Sequence, residues 1–231
     1  MQLQNAVVFI TGANRGLGRA FVDAALAAGA AKVYAAARDP SALNLPRLVP
    51  VVLDVTDAAQ VAAAAARCTD VTLLINNAGI AGHGRLLADD GMAIARAELD
   101  TNFFGPWALT RAFAPVLWGN GGGAVLNVLS VLSWLTLPAL ATYSASKAAA
   151  WALSNGLRQE LRGQGTQVTN LHVGYMDTDM ARGMDGPKTA PADVARLALQ
   201  GVAEGAPEVL ADEISRQVKQ SLSAPTAAYL G

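Results

Sequence analysis

With 231 residues, the chain has the length of one compact α/β domain. Hydrophobic residues make up 52% of it, but much of that is alanine, as at residues 62–66 and 148–150, which favours helix and close packing over lipid affinity. A net charge of -1 gives no broad electrostatic footprint for nucleic acid or an anionic membrane, so the expected partner is a small molecule.

The amino terminus runs almost directly into an apolar strand-like segment, without a basic stretch and long apolar run, so no signal peptide is expected and the cytoplasm is the expected location. Residues 7–11 predict a first strand and 16–28 a helix. Residues 32–36 and 49–54 predict the next two strands, 57–67 a helix with Asp57 and Gln60 at capping-box spacing, and 71–76 a fourth strand. The single Cys68 cannot form an internal disulfide, and no cluster around it points to a metal, so no metal site is expected. A long helical stretch over 93–118 stops at the glycine-rich residues 119–123, and 124–129 predicts a fifth strand. Residues 124–141 could pass for a membrane span, yet Asn127, Ser130, Ser133, Thr136 and Pro138 interrupt them, which suits a buried strand and a loop. A helix over 142–162, a sixth strand over 168–173, a helix over 192–204 and a short strand over 208–211 follow.

Val/Leu/Ile runs without alternation suit strands buried on both faces. Their alternation with helices predicts a Rossmann-type doubly wound parallel sheet of about seven strands with helices on both faces, whose ligands bind outside the carboxyl ends of the strands. One domain over 1–231 is expected, with a core over about 6–211 and a loosely ordered tail over 222–231.

Thr11-Gly12-Ala13-Asn14-Arg15-Gly16-Leu17-Gly18 falls where the first strand turns into the first helix. Glycines there permit a tight turn and close approach of main chain to a pyrophosphate, and the helix amino terminus offers N–H groups to phosphate. At the end of the second strand a carboxylate would select NAD(H) through the ribose hydroxyls, whereas an arginine would pair with the 2′-phosphate of NADP(H). Arg38, 20 residues past Gly18, and Arg15 in the turn therefore favour NADP(H) over NAD(H). A register shift of one residue would put Asp39 in the selecting position and reverse the choice.

Tyr143 and Lys147 lie four residues apart, stacked on one helix face. A tyrosine near pKa ~10 is a poor proton shuttle at neutral pH, and a neighbouring ammonium favours its phenolate. Ser130, thirteen residues before Tyr143, is placed to hold a substrate oxygen beside the phenol, with Ser133 as a competitor. Asn76-Asn77-Ala78-Gly79 closes the fourth strand, where amide or main-chain groups can line the nicotinamide ribose. Asn102 lies inside a long helix, where asparagine is mildly unfavourable, and reads equally as functional or as a satisfied interior amide. His172 reads as a buried imidazole and His83 as a loop residue at the pocket rim. Trp134, Leu135, Leu137, Met180 and Met184 are candidates for an apolar pocket wall.

Taken together, these residues resemble the short-chain dehydrogenase/reductase family over nearly the whole chain, from Val7 to about Ala211. The resemblance rests on the Thr-Gly-x-x-x-Gly-x-Gly turn, Asp54, the Asn76–Gly79 tetrapeptide, Asn102, Ser130, the Tyr143/Lys147 pair, and Thr178 four residues past Gly174. It implies a catalytic set of Asn102, Ser130, Tyr143 and Lys147. It also implies a cofactor set of Gly12, Asn14, Arg15, Gly16, Leu17, Gly18, Arg38, Asp54, Val55, Asn76, Ala78, Gly79, Tyr143, Lys147, Gly174 and Thr178. In that family pattern Asp54 and Val55 meet the adenine, Asn76 steadies the sheet, Lys147 bonds the nicotinamide ribose and Asn102 holds a water linking Lys147 to solvent. Thr178 contacts the carboxamide or pyrophosphate.

The implied activity is NADP(H)-dependent hydride transfer on a small carbonyl or alcohol, by a carbonyl reductase or alcohol dehydrogenase forming a homodimer or homotetramer. A non-catalytic NADP(H)-sensing regulator, and an epimerase or dehydratase on the same fold, are the alternatives. The chain departs from the family in having Val173-Gly174 where Pro-Gly is usual, which frees φ and restores an N–H. Its segment 180–191 is also short for a substrate lid.

Overall fold

The central strands send alternate side chains into two separate cores, which is why the sequence shows unbroken apolar runs. On β1 (Val7–Thr11), Val8 and Ile10 join one core, under α1 (Gly16–Ala27) and α6 (Pro191–Glu204). Phe9 joins the opposite core with Phe113, the ring centroids 4.7 Å apart. That second core lies under α2 (Ala58–Arg67), α4 (Gly105–Gly119) and α5 (Ala141–Glu160). The computed structural model describes all residues except 42, 44, 45, 184 and 231.

The other strands are β2 (Lys32–Ala37), β3 (Leu48–Val52), β4 (Leu73–Asn76), β5 (Ala124–Val128), β6 (Gln167–His172) and β7 (Glu208–Leu210). All pairs are parallel and the order is β3-β2-β1-β4-β5-β6-β7, the Rossmann-type doubly wound sheet expected. The order reverses between β1 and β4, which opens a crevice at their carboxyl ends. Among the described residues, no helix is long and apolar enough to cross a membrane.

Two elements differ from the sequence reading. The helix expected over 93–118 is α3 (Gly91–Leu99), a π-helical turn (Asp100–Phe104) and then α4. A further helix, α7 (Glu213–Ser221), follows β7 and escaped notice because its apolar signal is only Ile214 and Val218 in a polar segment. It starts firmly nonetheless, since the Asp212 side chain caps it by accepting from the Ser215 N–H at 2.9 Å. Beyond it, Ala227 is buried and Ala228–Leu230 forms a 3-10 turn.

Candidate active site

The crevice is a continuous cleft of about 1680 Å³. At one end the β1–α1 turn is built from main chain. Gly12 takes φ +64, and a Cβ on Gly18 would lie 1.9 Å from the Gly12 carbonyl oxygen, so only glycine fits there. Asn77 pins the turn by donating from Nδ2 to the carbonyls of Thr11 (2.8 Å) and Gly12 (3.2 Å), while Thr11 Oγ1 accepts from the N–H groups of Asn77 and Ala78 at 3.0 Å each. Helix α1 opens at Gly16 with no side-chain cap and no acidic residue in its first turn. Its first N–H groups are therefore available to an anion, as a pyrophosphate requires, so these residues fit a dinucleotide.

Asn14, Arg15, Gly16, Leu17, Arg38, Asp54, Val55, Ala78 and Gly79 line this part of the cleft, as do Gly174 and Thr178 on its far wall. Asp54 is fixed by the main-chain N–H of Thr56 (2.9 Å) and the Thr56 hydroxyl (2.7 Å), which hold its carboxyl below the usual range. Arg38 is exposed to the cleft, whereas Asp39 turns back to accept from the Ser41 N–H at 3.0 Å. Arg15 reaches across the cleft to Asp179 at 3.3 Å.

The other end is built from side chains. Ser130, just past β5, lines the cleft with Tyr143 and Lys147 of α5. Ser130 Oγ accepts from the Leu132 N–H at 3.1 Å. Its competitor Ser133 is buried, its hydroxyl accepting from the Ser130 N–H at 3.4 Å. Lys147, 5% exposed, donates to the Val128 carbonyl at 2.9 Å, and its Nζ lies 5.7 Å from the Tyr143 ring centre. Burial pulls the Lys147 ammonium down to about 8. Burial pushes the Tyr143 phenol up to about 12, partly offset by the neighbouring Ser130 hydroxyl. The sequence argument expected Lys147 to lower Tyr143; here desolvation of the phenol wins instead.

Asn102 and Asn76 stand behind the cleft wall. Asn102 lies in the π-helical turn, where its side chain accepts from the Ile80 N–H, donates to the Ile80 carbonyl and donates to Ser146 Oγ, each at 2.9 Å. It thus ties the loop after β4 to the helix carrying Tyr143. Asn76 donates to Asn127 Oδ1 (2.8 Å) and Thr110 Oγ1 (3.2 Å), bracing β4 against β5 and α4 rather than facing the cleft. Asn76, Asn102, Asn127 and Lys147 surround a cavity of about 10 Å³, about the room one water needs. Asn76 Oδ1 finds no partner among the described residues.

Leu135, Leu137 and Met180 form an apolar cleft wall, joined by Leu132, Tyr175 and Ile214, which the sequence reading missed. Their signal is non-local, since Ile214 arrives only through α7. Trp134 does not line the cleft: it stacks on His172 with centroids 3.8 Å apart, and Trp151 packs against it in a T-shaped pair. Met184 lies outside the described residues. His172 is fully buried, with Nδ1 3.2 Å from the Ser130 carbonyl oxygen, and burial lowers it to about 4. His83, at φ +55, sits on the cleft rim.

A doubly wound sheet carrying a glycine turn at β1 and a Ser-Tyr-Lys cluster across the crevice defines a dinucleotide-binding α/β protein of the oxidoreductase type. The family model for short chain dehydrogenase matches residues 6–188, and the chain belongs to that family of oxidoreductases. It is 33% identical over 240 residues to Dehydrogenase/reductase SDR family member 7B of Xenopus tropicalis, covering 90% of this chain and 77% of that one. It is 36% identical over 208 residues to Short chain dehydrogenase tazN of Aspergillus terreus, covering 83% of this chain but only 45% of that longer relative. A short chain dehydrogenase from Burkholderia cenocepacia, solved in complex with NADP, is 42% identical with a TM-score of 0.93, covering 97% of this chain and 95% of that one. One from Burkholderia phymatum, solved with NAD, shares the fold at 24% identity and a TM-score of 0.84.

Proposed function

We propose that the protein is an NADP(H)-dependent oxidoreductase acting on a small apolar carbonyl or alcohol, with Tyr143 as acid/base. The observation that carries this reading is the single cleft holding the glycine turn at one end and Ser130, Tyr143 and Lys147 at the other. Arg38 facing the cleft, with Asp39 turned away to Ser41, supports the phosphorylated cofactor. So does the NADP in the relative at 42% identity.

A nicotinamide dinucleotide, which Gly12, Gly16, Arg38 and Asp54 would hold along the cleft, would supply or accept the hydride at the carbonyl carbon. Ser130 holds the carbonyl oxygen by donating its hydroxyl. Tyr143, a phenol already protonated at neutral pH at its ordinary value, gives its proton to that oxygen, so the products are the alcohol and a phenolate. Lys147, with its ammonium 5.7 Å from the ring centre, stabilises that phenolate. Lys147 is the group placed to return a proton to the phenolate, beside a cavity of about 10 Å³ at Asn102 and Asn76 that has room for one water.

Leu137, Met180 and Ile214, exposed by 37%, 50% and 47%, surround the substrate end and suit an alkyl or aryl body better than a polyhydroxylated one. Following cofactor oxidation over 2-butanone to 2-octanone tests this. With NADPH, kcat/KM should rise up to about fourfold per methylene, the factor equivalent to ~0.8 kcal/mol. A flat series, or faster turnover with NADH or with a polyhydroxylated ketone, would contradict it.

A further inference from the structure

The structural detail that the family pattern does not anticipate lies where Val173-Gly174 replaces Pro-Gly. The Gly174 N–H donates to Asp212 Oδ2 at 2.5 Å, while Oδ1 of the same carboxylate caps α7 through the Ser215 N–H at 2.9 Å. Gly174 is pressed onto the start of α7: a Cβ there would lie 2.8 Å from Ile214 Cγ2 and 3.2 Å from Asp212 Oδ2. One residue earlier, the Val173 carbonyl accepts from the Val131 N–H at 3.0 Å, next to Ser130. From the other side, the Ala211 N–H donates to the His172 carbonyl at 3.0 Å. A carboxylate, two main-chain bonds and a glycine contact therefore fix the strand end that faces the nicotinamide half of the cleft.

Resting on the nicotinamide-cofactor reading of that cleft, we propose that Asp212 is a positioning residue for cofactor binding. Its carboxylate holds the Gly174 main chain in register with Ser130, a restraint on the residue that follows the φ a proline at 173 would fix. A bond from an N–H to a charged acceptor is strong and directional, and the carboxylate makes it without giving up the helix cap. The assignment gives α7 a function: it delivers the carboxylate.

NADPH binding by fluorescence titration, with a thermal melt of each protein, tests this without requiring turnover. Serine and asparagine both cap helices well, so Asp212→Ser and Asp212→Asn keep α7 while removing an acceptor. Both variants should bind NADPH roughly tenfold or more weakly, the order expected for one charge-assisted bond, with melting temperatures within a few degrees of wild type. Adding Val173→Pro to Asp212→Ser should restore most of the affinity. Unchanged affinity in both single variants, an affinity loss that tracks a fall in melting temperature, or a folded double variant with no recovery would each overturn the proposal. Wild-type protein that binds neither NADPH nor NADH would instead defeat the cofactor reading on which it rests.

Discussion

At the β1–α1 end of the cleft the protein presents main-chain atoms and glycines, whereas at the β5–α5 end it presents buried side chains. The first end needs little more than local geometry: a strand, a turn with φ +64 at Gly12 and a helix opening uncapped at Gly16. The second gathers residues from three parts of the chain, with Ser130 backed by His172, Tyr143 beside Lys147, and Asn102 reaching Ser146 from a different helix. A main-chain site is written in a short motif and is insensitive to pH. A side-chain site carries titratable groups held away from water, and its stability and chemistry both depend on proton activity.

Acid should expose that difference first. His172 is neutral in the folded protein because burial lowers it to about 4, while in the unfolded chain it titrates near its ordinary 6.5. The unfolded state therefore binds more protons between those values. The stability this group contributes is fully present above about pH 6.5 and is lost as pH falls towards 4, on the order of 3 kcal/mol in total. Chemical denaturation from pH 7 to 4.5 should show this slope in wild type and a flatter one in His172→Gln, which keeps a donor for the Ser130 carbonyl. Equal slopes would remove His172 as the acid-sensitive part of the β5–α5 end.

A smaller effect is expected at the glycine end from Arg38, the side chain we propose selects the phosphorylated cofactor. Arg38→Ser should reduce the NADPH-over-NADH preference by about ten- to a hundredfold, the range for losing a charge-assisted pair with phosphate. The turnover rate at saturating cofactor should stay within about twofold, because the Ser130–Tyr143 end is untouched. A large fall in that rate would mean the two ends are not separable in the way their construction suggests.

The same contrast explains what was legible in the sequence. The glycine turn, Arg38, Asp54 and the Tyr143/Lys147 pair are local patterns, and the structure brings them to one cleft. The sheet was legible because β1, β2, β4 and β5 are apolar on both faces. Contacts between distant segments were not. Trp134 looked like pocket wall because its partner His172 lies 38 residues away in the chain and stacks beneath it. Asp212 and Ile214 were invisible because α7 has two apolar residues in nine, too few for a periodic pattern. The π-helical turn at Asn102 hid inside a continuous helical signal, and the partners that satisfy its buried amide, Ile80 and Ser146, come from distant parts of the chain.

The central claim is that Tyr143 transfers the proton while most of the cofactor's binding comes from the glycine turn and Arg38. Measuring NADPH binding and single-turnover ketone reduction in Tyr143→Phe tests both halves together. The account predicts cofactor affinity within about threefold of wild type and a reduction rate lower by roughly a thousandfold, within the range for removing a general acid. A Tyr143→Phe protein that reduces the ketone at the wild-type rate would contradict it.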